Sequence, residues 1–341
     1  MPSILVTGGA GFIGTNAAAH YARRGWSVTV LDNLSRRGAA NNLSWLKGQA
    51  EFQFTPTDIR DRVSVAEEVA KAAPDVVLHL AGQVAVTTSL ADPIGDFETN
   101  AGGALNVLEA VRHHATRALV LYASTNKVYG DLHQLGVTLA EGRWTFRDCP
   151  SGVSEDQALD FHSPYGCSKG SADQYVLDYV KSFGIQGVVF RQSCIYGPHQ
   201  FGIEDQGWLA WFVIAAVTGR PLTIYGDGRQ VRDVLDVDDL LAAYDAAIAR
   251  RTDVSGRAFN IGGGPDNTLS LLELVAMLEG QLKRNIPVKR GNWRVGDQKV
   301  FVCDIRRAAE ALGWEPRITP HAGVRRLIEW VEKNREAIGE S

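Results

Sequence analysis

Ser3-Ile4-Leu5-Val6-Thr7-Gly8-Gly9-Ala10-Gly11-Phe12-Ile13-Gly14 sets the fold class. A short apolar run is followed at once by closely spaced glycines and then by a helix-compatible segment, Phe12–Arg24. Strand, tight turn and helix in that order make the first half of a β-α-β unit. Trp26–Asp32, Glu51–Thr55, Asp75–Leu80, Arg117–Ala123 and Gly187–Arg191 repeat the character of the first run. They are short and nearly continuous in apolar residues, as strands buried on both faces are. Ser64–Ala73 and Gly102–His114 are helix-compatible segments between them. This alternation predicts an α/β protein with a Rossmann-type doubly wound parallel sheet and helices on both faces.

After Gly187–Arg191 the texture changes. Ser270-Leu271-Leu272-Glu273 has the S-x-x-E pattern of a helix start, and Val324, Leu327, Ile328 and Val331 fall on one helical face. These features predict a smaller C-terminal α/β part. It is discontinuous, covering 193–233 with 262–341, while 1–192 with 234–261 form the sheet domain. Within 234–261 a helix and a strand are expected to return to the sheet. Gly130–Phe161 reads as a long polar loop, and loops of that length usually carry function.

The chain has 341 residues, enough for about two domains, with 45% hydrophobic and 22% charged residues. Its net charge of −4 argues against nucleic acid or an anionic membrane as partner. No apolar run reaches the roughly 18 residues of a membrane helix. Met1–Val6 lacks a basic leader, so no secretory signal is expected. Cys149, Cys167, Cys194 and Cys303 are far apart, with no C-x-x-C pair. Reduced thiols in a cytoplasm are expected, with no disulfide framework and no metal site.

The glycine run satisfies G-x-G-x-x-G, which lets backbone N–H groups approach a pyrophosphate at a helix N-terminus. Asp32 ends the second strand 18 residues beyond Gly14. A carboxylate there accepts from a ribose 2′-OH and repels a 2′-phosphate, which predicts NAD. Arg36 and Arg37 just downstream could serve NADP; with Asp32 present they read as a solvated basic loop. Asp58-Ile59 and Leu80-Ala81-Gly82-Gln83 follow the third and fourth strands, at the sheet edge where ligands sit. Asp58 reads either as an adenine contact or as the N-cap of the helix containing Val63.

Tyr165-Gly166-Cys167-Ser168-Lys169 is Y-x-x-x-K, whose ends share a helix face. A nearby ammonium and a positive nicotinamide ring would favour phenolate, letting Tyr165 take a proton from a sugar hydroxyl. Ser124-Thr125-Asn126-Lys127 brings the Thr125 hydroxyl to the same edge. Thr125, Tyr165 and Lys169 thus form an alcohol-oxidising set. His162 reads as a helix-start residue or a substrate contact.

Together these residues resemble the extended short-chain dehydrogenase/reductase superfamily over nearly the whole chain. The likeness includes Tyr225-Gly226-Asp227-Gly228, Gln230-Val231-Arg232-Asp233, Asn260-Ile261-Gly262-Gly263 and Arg294-Val295-Gly296-Asp297. The segments 32–39, 81–85, 124–131, 160–170 and 205–208 resemble its CDP-hexose 2-epimerases more closely. Gln192 departs from the histidine expected after the sixth strand. The resemblance implies a retained NAD held by Gly8, Gly11, Phe12, Ile13, Gly14, Asp32, Asn33, Ser35, Arg36, Asp58, Ile59, Leu80, Ala81, Gly82, Gln83, Asn100, Ser124, Tyr165, Lys169 and Gln192. It implies a nucleotide-sugar substrate, a CDP-hexose above all, met by Thr88, Asn126, His162, Cys194, Gln206, Gly207, Trp208, Tyr225, Arg232, Arg294 and Asp297. Arg232 and Arg294 would clamp the diphosphate, and Asp297 would accept from the nucleotide ribose. Tyr165 would deprotonate the C2 hydroxyl, a 2-keto sugar would form, and the ring would turn before reduction. The superfamily is commonly a homodimer or homotetramer, with Gly102–His114 and Ser163–Gly184 as candidate contact helices.

A 4,6-dehydratase needs an Asp-Glu pair after the threonine; Asn126 and Lys127 stand there instead. A 4-reductase usually prefers NADPH, which Asp32 disfavours. A C4-epimerase uses the same three groups and stays open on residue chemistry, as does the base of the nucleotide. A dinucleotide sensor without chemistry would have no reason to keep Thr125, Tyr165 and Lys169 together.

Overall fold

The computed structural model of the protein describes residues 1–294 and 297–340. In the first part β1 (Ser3–Thr7), α1 (Phe12–Arg23), β2 (Ser27–Asp32), α2 (Ala39–Lys47), β3 (Gln53–Pro56), α3 (Arg62–Ala72) and β4 (Val76–His79) alternate strictly. Next come α4 (Val86–Ala91), α5 (Pro93–Phe97), a π-helical turn (Glu98–Gly102), α6 (Gly103–His114) and β5 (Leu119–Thr125). A 3-10 turn (Asn126–Tyr129), β6 (Val137–Ala140), β7 (Arg143–Phe146), α7 (Ser163–Phe183) and β8 (Gln186–Gln192) complete it.

The remainder contains β9 (Cys194–Tyr196), α8 (Trp208–Thr218), β10 (Leu222–Tyr225), β11 (Val231–Asp236), α9 (Val237–Ala249), α10 (Arg251–Val254) and β12 (Arg257–Ile261). Then follow β13 (Thr268–Ser270), α11 (Leu271–Leu282), β14 (Val288–Gly291), β15 (Val300–Phe301), α12 (Arg306–Leu312), α13 (Pro320–Lys333) and α14 (Arg335–Glu340).

The 7-stranded sheet has the order β12-β8-β5-β4-β1-β2-β3, and all its pairs are parallel. The central strands bury both faces, as the apolar runs require, while the edge strand β3 is only partly covered. Ile4, Val6, Val76, Leu78, Leu119, Leu121, Val188 and Phe190 pack in the layer with α1 and α9. Leu5, Val77, Val120, Tyr122 and Val189 alternate into the layer with α3, α6 and α7. The strand order reverses between β1 and β4, and in open α/β sheets ligands bind beyond the carboxyl ends at such a point.

A smaller sheet pairs β11 with β9, β13 and β15, and β10 pairs with β14. Its core gathers Leu209, Val213, Leu274, Leu278, Val324, Leu327, Ile328 and Val331 from α8, α11 and α13. Ser270 and Glu273 form a reciprocal capping box at the start of α11. Residues 234–261 return α9 and β12 to the large sheet, while β11 runs across position 234 and joins the two parts.

The expected loop over Gly130–Phe161 is corrected in part. It contains the antiparallel β6–β7 hairpin, whose Phe146 packs with Tyr129 and Phe301. Most hairpin residues are only partly buried, so no apolar alternation marked it. No helix among the described residues is long and apolar enough to cross a membrane.

Candidate active site

The glycine turn is built for close approach. Gly8 has φ 67°, and a Cβ on it would lie 2.7 Å from the Ala81 nitrogen. A Cβ on Gly14 would strike the Gly8 carbonyl. Larger residues would therefore close the phosphate cradle at the N-terminus of α1, where Gly11 is the N-cap ahead of Phe12 and Ile13. Ala81 N–H donates to Thr7 Oγ1 (3.3 Å), and Leu80 N–H donates to the Thr7 carbonyl, tying β4 to β1 at their carboxyl ends.

Asp32 closes β2 beside this cradle. Its oxygens accept from the backbone N–H groups of Ala10 (3.0 Å) and Leu34 (2.7 Å). Burial raises its pKa, and these donors oppose that rise. Asn33 donates to Asp58 and accepts from Ser35 N–H. Asp58 sits well below the ordinary carboxylate range, first because Arg60 hydrogen-bonds it. The N-cap of α3 is Asp61, which accepts from Val63 and Ser64, so the capping alternative for Asp58 is corrected. Ile59 packs where a side chain on Gly103 would go.

Arg36 and Arg37 are exposed, as the reading of a solvated loop expects, and each also makes one long-range hydrogen bond. The Arg36 guanidinium donates to Gln206, and Arg37 donates to the Ile338 carbonyl (3.2 Å). Arg36 thereby links the cofactor side of the cleft to the segment before α8.

Tyr165 lies in the first turn of α7, 8% exposed. Burial raises its pKa, while the Thr125 hydrogen bond and the Arg36 charge lower it. The expectation that Lys169 depresses it is corrected for the protein alone. The Lys169 ammonium instead donates to the Ala123 carbonyl (2.5 Å) and lies 4.3 Å from the centre of the Tyr122 ring. Its own pKa falls to about 7, through burial, against the support of Asp173 and Asp96. Thr125 accepts from Lys127 N–H (3.2 Å). Its single proton can go to Asn126 Oδ1 (3.3 Å) or to a Tyr165 phenolate.

A buried network holds α7 in place; it joins the expected Gln83 and Asn100 to Asp96 and Ser168, which sequence reasoning missed. Asn100, on the π-helical turn, accepts from Gln83 N–H and donates to Gln83 O, Asp96 and Ser168. Ser168 donates to Asp96 (2.5 Å). The spacing of Asp96 to Asn100, and of Lys169 to Asp173, is i,i+4, a signal that could have found them. A Cβ on Gly82 would lie 2.8 Å from Asn100 Oδ1, so the glycine permits this closure. The Ser124 hydroxyl is spent on Asp173 (2.8 Å), and the Gln192 amide donates to Tyr244 (2.7 Å) in the core.

Across the cleft, Arg232 pairs with Asp297 at 2.6 Å and Trp208 Nε1 points at Cys194 Sγ (3.4 Å). Gly207, at φ 71°, caps α8. Farther out, Arg294 pairs with Asp205 (3.0 Å) and lies 4.1 Å from the Tyr225 ring centre, while Tyr225 donates to Glu204. Val295 and Gly296 lie outside the described residues. His162 sits at the N-cap position of α7, but its ring engages Asp131 (3.0 Å) and Asp160 (3.1 Å) and makes no cap hydrogen bond. Thr88 is exposed on α4. The structure thus brings together the glycine cradle, Gly82, Asn100, Thr125, Tyr165 and Lys169. A second group forms around Cys194, Trp208, Arg232 and Asp297. Among the described residues, no group of three or more His, Cys, Asp or Glu side chains could hold a metal.

This is the architecture of a nucleotide-cofactor enzyme of the short-chain dehydrogenase/reductase type. Residues 4–262 match the model of the NAD dependent epimerase/dehydratase family, and the chain belongs to that family. It is 47% identical over 337 residues to CDP-paratose 2-epimerase of Salmonella typhi, covering 96% of this chain and 98% of that protein. UDP-glucose 4-epimerase of Thermotoga maritima, solved with UDP-glucose, superposes with a TM-score of 0.84 at 29% identity, covering 98% and 99% of the two chains. The Thermus thermophilus UDP-glucose 4-epimerase complex with NAD gives 0.82 at 30% identity, over 97% and 99%. The cradle closed by Gly8 and Gly14, with Asp32 beside it, fits the NAD of this family.

Asp32→Ala is expected to relax NAD over NADP discrimination by about tenfold or more, the worth of one charge-assisted contact. Because Asp32 also holds Ala10 and Leu34, the ratio of the two affinities is the readout; structural loss cancels in it. Unchanged discrimination would mean the ribose is read elsewhere.

Proposed function

We propose that the protein inverts C2 of CDP-paratose to give CDP-tyvelose. In this reading 1–192 with 234–261 hold NAD, and 193–233 with 262–341 hold the nucleotide-sugar. The observation that supports the chemistry is the buried Tyr165 beside Thr125 at the carboxyl edge of the sheet, where the threonine hydroxyl favours the phenolate. The choice of CDP and of C2 rests on the 47% likeness to the Salmonella enzyme.

NAD, when bound, supplies reversible hydride acceptance beside the sugar. The chain's own residues do the rest. Tyr165 takes the C2 hydroxyl proton as that carbon is oxidised, and the Thr125 proton turns from Asn126 to the phenolate. Lys169, held above Tyr122 by the Ala123 carbonyl, is placed to orient the cofactor ribose. Arg232 and Arg294 take the diphosphate, with Asp297 released toward the nucleotide ribose. The 2-keto sugar turns its other face, and Tyr165 returns the proton as C2 is reduced with inverted configuration.

A homodimer or homotetramer built through α6 and α7 belongs to the same reading. Tyr175 and Phe183 on α7 are 45% and 50% exposed and offer apolar surface to such a contact. Incubation with a panel of CDP-, UDP- and GDP-hexoses, followed by proton NMR at the ring carbons, tests the function. Inversion at C2 of a CDP-hexose is expected; inversion confined to C4 would replace the reading with a 4-epimerase.

A further inference from the structure

Lys127 was marked in the sequence only for what it cannot do. In the fold it follows Thr125 on the 3-10 turn, whose first N–H bond is accepted by the Thr125 hydroxyl. This turn directs a half-buried ammonium toward the second half of the cleft. Its hydrogen bond is a long one, to Gln298 Oε1 at 3.5 Å. Gln298 is itself committed, donating to the Gly130 carbonyl (2.6 Å) and accepting from Arg232 through its backbone (2.6 Å).

The carboxylates around Lys127 are engaged with other groups. Burial first, and then the positive charge of Arg232, push its pKa down; Asp297, Cys194 and Asp131 oppose this. Asp297 is already paired with Arg232 (2.6 Å), and Asp131 is held by His162 (3.0 Å). Two cations, Lys127 and Arg232, thus stand together in the cleft, and the two carboxylates nearest Lys127 both have other partners. Such an arrangement is stabilised by an anion, and phosphate oxygens suit both groups.

The chemistry of the sugar adds a constraint. C2 is bonded to C1, which carries the phosphate ester. When C2 sits beside Tyr165, the β-phosphate must lie within a few bonds of the catalytic groups. When C4 sits there, the phosphate leaves from the opposite side of the pyranose. Lys127, two residues after Thr125 and reaching Gln298 beside Arg232, is a candidate partner for a phosphate held close to the catalytic groups, as the first seating requires.

We propose that Lys127 binds the β-phosphate of the nucleotide-sugar and so seats C2, rather than C4, against Tyr165. This rests on the functional reading above and deepens it by assigning the regiochemistry to a residue.

The test uses the full chain loaded with NAD, as wild type, Lys127→Met and Lys127→Arg. Calorimetric titration with CDP and with CMP isolates the β-phosphate. Lys127→Met is expected to lose about tenfold or more in CDP affinity and little in CMP affinity, with Lys127→Arg recovering much of the loss. In parallel, CDP-paratose deuterated at C2 or at C4 reports which carbon is oxidised, through the slowing of the 340 nm signal. The C2 share is expected to fall in Lys127→Met. Equal losses for CDP and CMP, or none, would overturn the assignment to Lys127. A wild type that oxidises only C4 would instead overturn the C2 reading, and with it the regiochemical role. If the wild type takes UDP rather than CDP, the same comparison is made with UDP and UMP.

Discussion

Tyr165→Phe is expected to abolish epimerisation while leaving NAD bound. The phenol is 8% exposed, and the ring is retained, so the substitution removes one oxygen without opening a cavity. The lost oxygen is the proton acceptor. Thr125, deprived of it, keeps its proton on Asn126 Oδ1, 3.3 Å away. Asn126 cannot take its place as base, since its amide is not a proton acceptor of useful strength, and the Lys127 side chain is directed at Gln298. The expected fall in kcat is about 10²–10⁴-fold, the usual worth of a positioned acid–base group. Cofactor content, measured after release from denatured protein, should match wild type, because the glycine cradle and Asp32 are untouched. Normal turnover in this variant would remove the mechanism.

Asp173→Asn is expected to destabilise the fold by about 3–5 kcal/mol, since it leaves a buried guanidinium without its counter-charge. Asp173 and Arg191 are 0% and 5% exposed at their side chains and meet through two hydrogen bonds of 3.0 Å. Asp173 also accepts from Ser124 and from Gln174, so every lone pair direction is in use. The pair fixes α7 to the ends of β5 and β8, the elements that carry Tyr165, Thr125 and Gln192. Asp173 further supports the charge on Lys169, whose pKa of about 7 would fall lower without it. Chemical unfolding measures the first effect. Removing both partners in Asp173→Leu with Arg191→Met should recover much of the loss, because no unpaired charge remains. A single variant within about 0.5 kcal/mol of wild type would contradict this role.

The large sheet was legible because its strands are buried on both faces, and continuous apolar runs such as Ile4-Leu5-Val6 and Val76-Val77-Leu78 record that directly. The glycine turn was legible because steric demand leaves few alternatives to glycine at positions 8 and 14. Thr125, Tyr165 and Lys169 stood out because one sits at a strand end and two share a helix face. What escaped was set by long-range placement. Lys127 meets Gln298 across 171 positions, and Arg36 meets Gln206 across 170. No local pattern encodes either. The partner of Lys169 was hidden for a related reason: its place on a helix face with Tyr165 is local, whereas the Ala123 carbonyl reaches it only through the packing of β5. The β6–β7 hairpin escaped because its exposed residues lack the alternation that a half-buried strand imprints.

The most direct measurement is a crossover experiment with CDP-paratose deuterated at C2, mixed with unlabelled substrate that is distinguishable elsewhere by mass. If Tyr165 serves an oxidation and reduction of one carbon within a single binding event, deuterium stays at C2 of the molecule that brought it, now inverted, with none exchanged into water. Deuterium lost to solvent, passed to the unlabelled partner, or left at an uninverted C2 would contradict the account.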